Sequence, residues 1–96
     1  MEFLVRMEVG IEHLSRERQQ QLLEEEAQRA AELAGAGTLR ALWRIPGRRA
    51  NYGLWVAQDP DGLHLAITSL PLWPWAQVEV TALATHPNDP RKADQF

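Results

Sequence analysis

Few side chains in this 96-residue chain have the chemistry to act on a substrate, and one carboxylate stands out among them. Glu26 lies in QQQLLEEEAQRAAELA, a run of strong helix formers. On a helical wheel at ~100° per residue with Leu22 at zero, Leu33 falls near ~20° and Ala30 near ~80°. Leu23, Ala34 and Ala27 follow near ~100°, ~120° and ~140°, which completes an apolar stripe. Glu24, Glu25 and Glu32 fall near ~200°, ~300° and ~280°, on the wet side. Glu26 falls near ~40°, inside the stripe. A carboxylate in that position loses water, and burial raises its pKa toward the range useful to a general base. The alternative is a carboxylate at the stripe's edge that reaches out to solvent or pairs with an arginine. Glu25 and Glu26 do not form a glycosidase-type pair, because adjacent helical residues point about 100° apart.

The remaining candidates are arginines and aromatics. Arg40 and Arg44 lie four apart on an alternating segment, and Arg48-Arg49 sit in the turn after it. Arginine clamps carboxylates in a bidentate fashion, though solvation or pairing with Glu8 and Glu79 is the plainer role. Trp43 and Tyr52 fall on apolar faces, where core packing is the commoner role. The Tyr52 hydroxyl remains a possible donor to a carbonyl oxygen. Trp73 and Trp75, bracketed by Pro71 and Pro74, could cap a pocket or pack between subunits.

Other chemistries lack their parts. The two serines, Ser15 and Ser69, have no nucleophile elbow around them. The single lysine, Lys92, lies in a polar tail. His13, His64 and His86 form no metal-ligand spacing, and no dinucleotide or Walker motif occurs. No cofactor and no metal is therefore expected. Zero cysteines exclude disulfides and thiolate chemistry and fit a reducing, cytoplasmic setting. A formal net charge of -3 argues against nucleic acid as partner, and no apolar run is long enough to span a membrane.

These groups need a frame. Residues 2–9 alternate, with Phe3, Val5, Met7 and Val9 on one face. Ser15 caps a helix that runs to about Ala34 and stops at Gly35-Ala36-Gly37. Residues 38–46 read as a strand with Leu39, Ala41, Trp43 and Ile45 on one face and Arg40, Leu42 and Arg44 on the other. Residues 50–57 read as a third, with Tyr52, Leu54 and Val56 sharing a face. Asp59-Pro60-Asp61 starts a second helix that ends near Leu70, and residues 77–84 form a fourth strand. The order βαββαβ is that of the α+β ferredoxin-like fold, a four-stranded antiparallel sheet with two helices on one face. A single domain over 1–90 and a loose polar tail over 91–96 are expected. The uncovered face is expected to carry Leu4, Leu42 and Trp55 and to find a second copy of the chain.

The stretches LWRIPGRRANYG and LHLAITSLPLWPWAQVEVTALATHP resemble the muconolactone delta-isomerase family. The match runs through Leu42-Trp43-Arg44-Ile45, the Gly47 turn, Ala50-Asn51, Leu70-Pro71-Leu72-Trp73-Pro74-Trp75, Val78-Glu79-Val80 and His86-Pro87. The resemblance implies a protomer of the dimeric α+β barrel type, a dimer built sheet to sheet and often a ring of five dimers. It implies a cofactor-free isomerase of aromatic-compound catabolism that converts muconolactone to 3-oxoadipate enol-lactone by a 1,3-proton shift. It matches Glu26 to the family's helix carboxylate, the proton-shuttling base, and carries over Arg44 and Tyr52 as substrate-binding residues; Trp43 and Arg48 join them as candidates on their residue type and position. The chain departs from the family's usual residues at Leu4, Leu39, Arg48 and Arg49. Two other classes stay open: a non-catalytic small-molecule-binding oligomeric module, and a dehalogenating lactone enzyme of the same fold.

Overall fold

Alternation makes the first strand, β1 (Glu2–Val9), and buries Phe3, Val5 and Met7 on one face. The computed structural model describes residues 1–93. In it, β1 is followed by helix α1 (Arg16–Gly35), β2 (Leu39–Arg44), β3 (Ala50–Val56), helix α2 (Pro60–Thr68) and β4 (Ala76–Leu83). The strands form one antiparallel sheet in the order β2-β3-β1-β4, with β1 paired to both β3 and β4. This is the expected βαββαβ topology.

Local chemistry sets the helix ends. The Ser15 hydroxyl accepts the Arg18 N–H at 3.1 Å, and Asp59 Oδ1 accepts the Gly62 N–H at 2.8 Å. Pro60 opens α2, where no intrahelical donor is needed. Gly37, at φ +81°, makes the left-handed step out of α1. The core lies between the sheet and the helices. Phe3, Val5, Met7, Leu39 and Trp55 meet Leu33 of α1 and Leu63 and Ile67 of α2. A smaller cluster of Ile11, Leu22 and Leu72 sits at one end. Among the described residues no helix is long and apolar enough to cross a membrane.

One β-bulge changes which residues face which way. Leu39 opposes Trp55 and Ala41 opposes Leu54, so Arg40 is an extra residue in β2. Its guanidinium turns back to donate to the Gly37 carbonyl at 3.0 Å. Beyond it the alternation is reversed. Leu42 opposes Gly53 and Arg44 opposes Asn51, on the side of Val5 and Met7. Trp43 opposes Tyr52, on the side of Leu4 and Arg6. Strict alternation had joined Arg40 to Arg44 and Leu39 to Trp43; the bulge separates both pairs.

Trp55 is also relocated. It was expected on the uncovered face with Leu42, and it is instead a core residue, 3% exposed and opposite Phe3. The neighbouring glycine makes this possible. A Cβ on Gly53 would lie 2.6 Å from the Trp55 indole nitrogen, so only glycine lets the indole lie back along its own strand. Gly53→Ala is therefore expected to destabilise the fold by about 1–3 kcal/mol, the usual cost of forced repacking in a core. Chemical denaturation would show it as a lower midpoint. An unchanged midpoint would mean that the indole has room to move.

The segment expected as a loose tail begins in a single helical turn, Pro90–Ala93, and Arg91 reaches Glu2 of β1 at 3.5 Å. Residues 94–96 of that expectation lie outside the described residues.

Candidate active site

The stripe on α1 is only half used for packing. Leu22 and Leu33 are buried, but Leu23 is 53% exposed, and Ala27 and Ala34 are exposed too. Leu23, Glu26, Ala27 and Ala30 follow the spacing of one helix face, and this face borders a cavity of about 530 Å3 instead of packed side chains. Met7 and Val9 of β1 and Leu42 of β2 line it from the sheet, and Ile11 and Leu72 close its end. Its polar groups are Glu26, Gln19, Arg44, Arg49 and Asn51. Apolar walls with a few polar groups, at this volume, describe a small-molecule site.

Glu26 is half-buried, and burial pushes its carboxyl above the ordinary carboxylate range. A backbone hydrogen bond opposes that shift in part: the Leu72 N–H donates to Glu26 Oε1 at 3.0 Å. Leu72 lies between Pro71 and Pro74, which have no N–H to give, and a short 3-10 turn, Trp73–Trp75, follows it. The proline-bracketed loop thus offers a fixed donor to one carboxylate oxygen. The other oxygen has no hydrogen-bond donor among the described residues. No arginine pairs with Glu26 among those residues, so the alternative of a buried ion pair is not what the structure contains.

Arg44 reaches the same cavity because the bulge at Arg40 turned it inward. It makes no ion pair or side-chain hydrogen bond among the described residues, and its register partner Asn51 lies beside it on the sheet. The other three residues expected to bind substrate do not line this cavity. Trp43 and Tyr52 oppose each other on the uncovered face, 54% and 39% exposed. Arg48 is engaged with Glu8, its Nη2 2.7 Å and its Nε 2.8 Å from the carboxylate, which is the plainer pairing anticipated for it.

Sequence reasoning weighed both turn arginines but placed Arg48, not Arg49, at the site, and it gave no role to Asn51 or the Leu72 N–H. Which of two consecutive turn arginines faces the cavity depends on how the turn is tied down. Here the Val9 N–H donates to the Arg49 carbonyl at 3.0 Å, which holds Arg49 at the cavity rim. Asn51 had a visible signal, since it stands in the Ala-Asn element of the family pattern. A backbone N–H leaves no mark in a sequence.

The raised pKa has two consequences of opposite use. Folded protein binds the Glu26 proton more tightly than unfolded protein, so stability is fullest below 4.5, the ordinary value, and declines as pH rises through the folded value. The melting temperature of the wild type, taken relative to Glu26→Gln, is expected to fall across that interval. A difference that is flat from pH 4 to 8 would remove the claim of burial. Proton abstraction needs the ionised form, so the acid limb of kcat/KM should sit above that of an ordinary carboxylate.

The sequence matches the family model described as Muconolactone delta-isomerase over residues 1–89. Among curated proteins, the Muconolactone Delta-isomerase of Pseudomonas aeruginosa is 39% identical over 72% of this chain and 72% of its own length. That of Cupriavidus pinatubonensis is 34% identical over 95% of this chain and all of its own. Among solved structures, a crystal structure of muconolactone isomerase superposes with a TM-score of 0.85 at 34% identity, covering 94% of this chain and 95% of that one. The family match spans both the strand that carries Arg44 and the helix that carries Glu26, and a TM-score of 0.85 means that this chain and the solved isomerase share one fold. The chain belongs to the muconolactone delta-isomerase family.

Proposed function

We propose that this protein isomerises muconolactone, or a closely related small unsaturated lactone, to the enol-lactone, with the cytoplasm as its setting. The observation that carries the reading is Glu26: a half-buried carboxylate with a raised pKa, on an apolar cavity wall, held by one backbone N–H. The reaction moves a double bond and leaves composition unchanged. Glu26 takes the acidic proton conjugated with the lactone carbonyl, and a dienolate forms. The same carboxyl returns the proton at another carbon. Arg44 holds the substrate carboxylate, and the Asn51 amide is placed to donate to oxygen atoms that gain charge. The apolar walls offer water few partners beside the dienolate, which favours return of the proton from Glu26.

The reading extends to assembly. The uncovered sheet face presents Leu4, Ala41, Trp43, Tyr52 and Leu54 in register across three strands. An apolar patch centred on two exposed aromatics suits burial against a second copy. Trp43 and Tyr52 then serve the dimer, and a ring of such dimers is the larger form proposed. Trp43→Glu is expected to shift the sedimentation coefficient toward that of a monomer. An unshifted value would assign the contact to another face.

Purified protein mixed with muconolactone tests the function itself. Turnover to enol-lactone supports the reading. Thermal stabilisation by the lactone without turnover would favour a binding module instead. Release of halide from a halogenated lactone, with no isomerisation of muconolactone, would favour the dehalogenating class.

A further inference from the structure

Glu26 is oriented by a single donor, the Leu72 N–H, which comes from a distant part of the chain. A donor of that kind works only if its own segment is fixed, because a small displacement of a base from its working geometry slows the reaction steeply. The segment is closed on itself. The Trp73 N–H donates to the Leu70 carbonyl at 3.0 Å, and the Trp75 N–H donates to the Leu72 carbonyl at 3.0 Å. The Leu72 side chain is buried with Ile11 and with Leu22 of α1. Apolar burial brings the turn against the helix, but it is non-directional and does not aim an N–H.

Arg29 supplies a directional link. It lies three residues after Glu26, on the adjacent turn of the same helix face. Its Nε donates to the Ser69 Oγ at 2.9 Å. Ser69 is the residue that ends α2, three residues before Leu72. One turn of α1 therefore holds one short segment at two points, Glu26 on residue 72 and Arg29 on residue 69. Both partners of the second contact are committed to it. Arg29 Nη1 donates to Glu32 Oε2 at 3.1 Å, which fixes the plane of the guanidinium. The Ser69 hydroxyl donates to the Ala66 carbonyl at 2.6 Å, which leaves its lone pairs for Arg29. The other charged groups at the cavity are Arg44 of β2 and Arg49 of the turn after it, and β1 and the 70–75 segment contribute none to its lining.

We infer that Arg29 is a positioning residue for the isomerisation: through Ser69 it holds the segment that aims the Leu72 N–H at Glu26, which keeps one carboxylate oxygen occupied and presents the other to the substrate proton. This inference rests on the isomerase reading for the reaction it serves.

Ser69→Ala removes the bridge with no change of charge, and Arg29→Met removes it while keeping the aliphatic stem. Each is expected to lower kcat on muconolactone about three- to tenfold with KM nearly unchanged, because a loosened base slows the chemical step and not binding. The acid limb of kcat/KM should move upward in both, since the Leu72 N–H favours the ionised carboxylate and its loss leaves burial unopposed. Ser69→Ala decides this point, because Arg29→Met also removes a positive charge. The double variant should be no worse than the poorer single one, as expected of two groups that act through one contact. Arg29→Lys should recover part of the loss, because the ammonium still offers Ser69 a donor.

A second readout does not use turnover. In full-length protein carrying isotope-labelled leucine, the Leu72 amide resonance should titrate with Glu26. It should lose that titration in Glu26→Gln and show it weakened in Ser69→Ala. A bridge that only stabilises the fold would lower the melting temperature and move neither the acid limb nor the amide titration, and that result overturns the inference. Failure of the isomerase reading shows differently, as no turnover by the wild type while the Leu72 amide still follows Glu26.

Discussion

Glu26→Gln is expected to keep the fold and to lower kcat/KM for muconolactone about 10^3-fold, within the usual range for loss of a general acid–base group. The substitution preserves shape almost atom for atom. The amide oxygen still accepts the Leu72 N–H that now donates to Oε1 at 3.0 Å. What disappears is the ability to take and return a proton. The loss should fall on kcat, because the carboxylate acts on the reacting proton and not on the resting substrate. Solvent-deuterium incorporation into recovered substrate should cease as well, since exchange needs the same abstraction step. Thermal stability near neutral pH should hold or rise, because a carboxylate whose ionisation is opposed by burial has been replaced by a neutral group. A variant that is folded and retains more than a tenth of wild-type kcat/KM would remove Glu26 as the base.

The sequence marked Glu26 because helical periodicity is a strict rule, and a single acid inside an apolar arc violates it visibly. The same rule could not say whether the arc would be packed or left open. Leu23 and Ala27 read as core and instead border a cavity whose sheet side is lined by Met7, Val9 and Leu42. Strand alternation served equally well for β1, where Phe3, Val5 and Met7 are buried as read. It failed in β2 for a reason of geometry. One unpaired residue, Arg40, reverses every side chain after it, and nothing in TLRALWR distinguishes a bulged strand from a regular one. The failure in β3 was of another kind. Gly53 looks like a weak strand residue, yet its missing Cβ is what admits Trp55 to the core. Family resemblance pointed to Arg44 before the geometry did, and the bulge supplies the physical reason that it lines the cavity.

That reason makes Arg44 the second decisive residue. Arg44→Gln is expected to lower kcat/KM for a carboxylate-bearing lactone about 10–100-fold, the loss of one hydrogen-bonded charge contact. Because the substrate carboxylate is already ionised before reaction, the contact exists in ground and transition states alike. The change should therefore appear mainly in KM, with kcat nearly preserved, which separates Arg44 from Glu26 in one set of saturation curves. Arg44→Lys should recover only part of the loss, since an ammonium keeps the charge but not the bidentate fork. Raising ionic strength should weaken the wild type more than Arg44→Gln, because Arg44 is exposed at the cavity and its attraction is screened by salt. The mirror experiment uses a lactone with its carboxylate replaced by a neutral amide. Wild type and Arg44→Gln should then converge. If the two still differ tenfold on that neutral substrate, Arg44 is shaping the cavity and not binding the carboxylate. The register that sets Arg44 opposite Asn51 would then be its contribution.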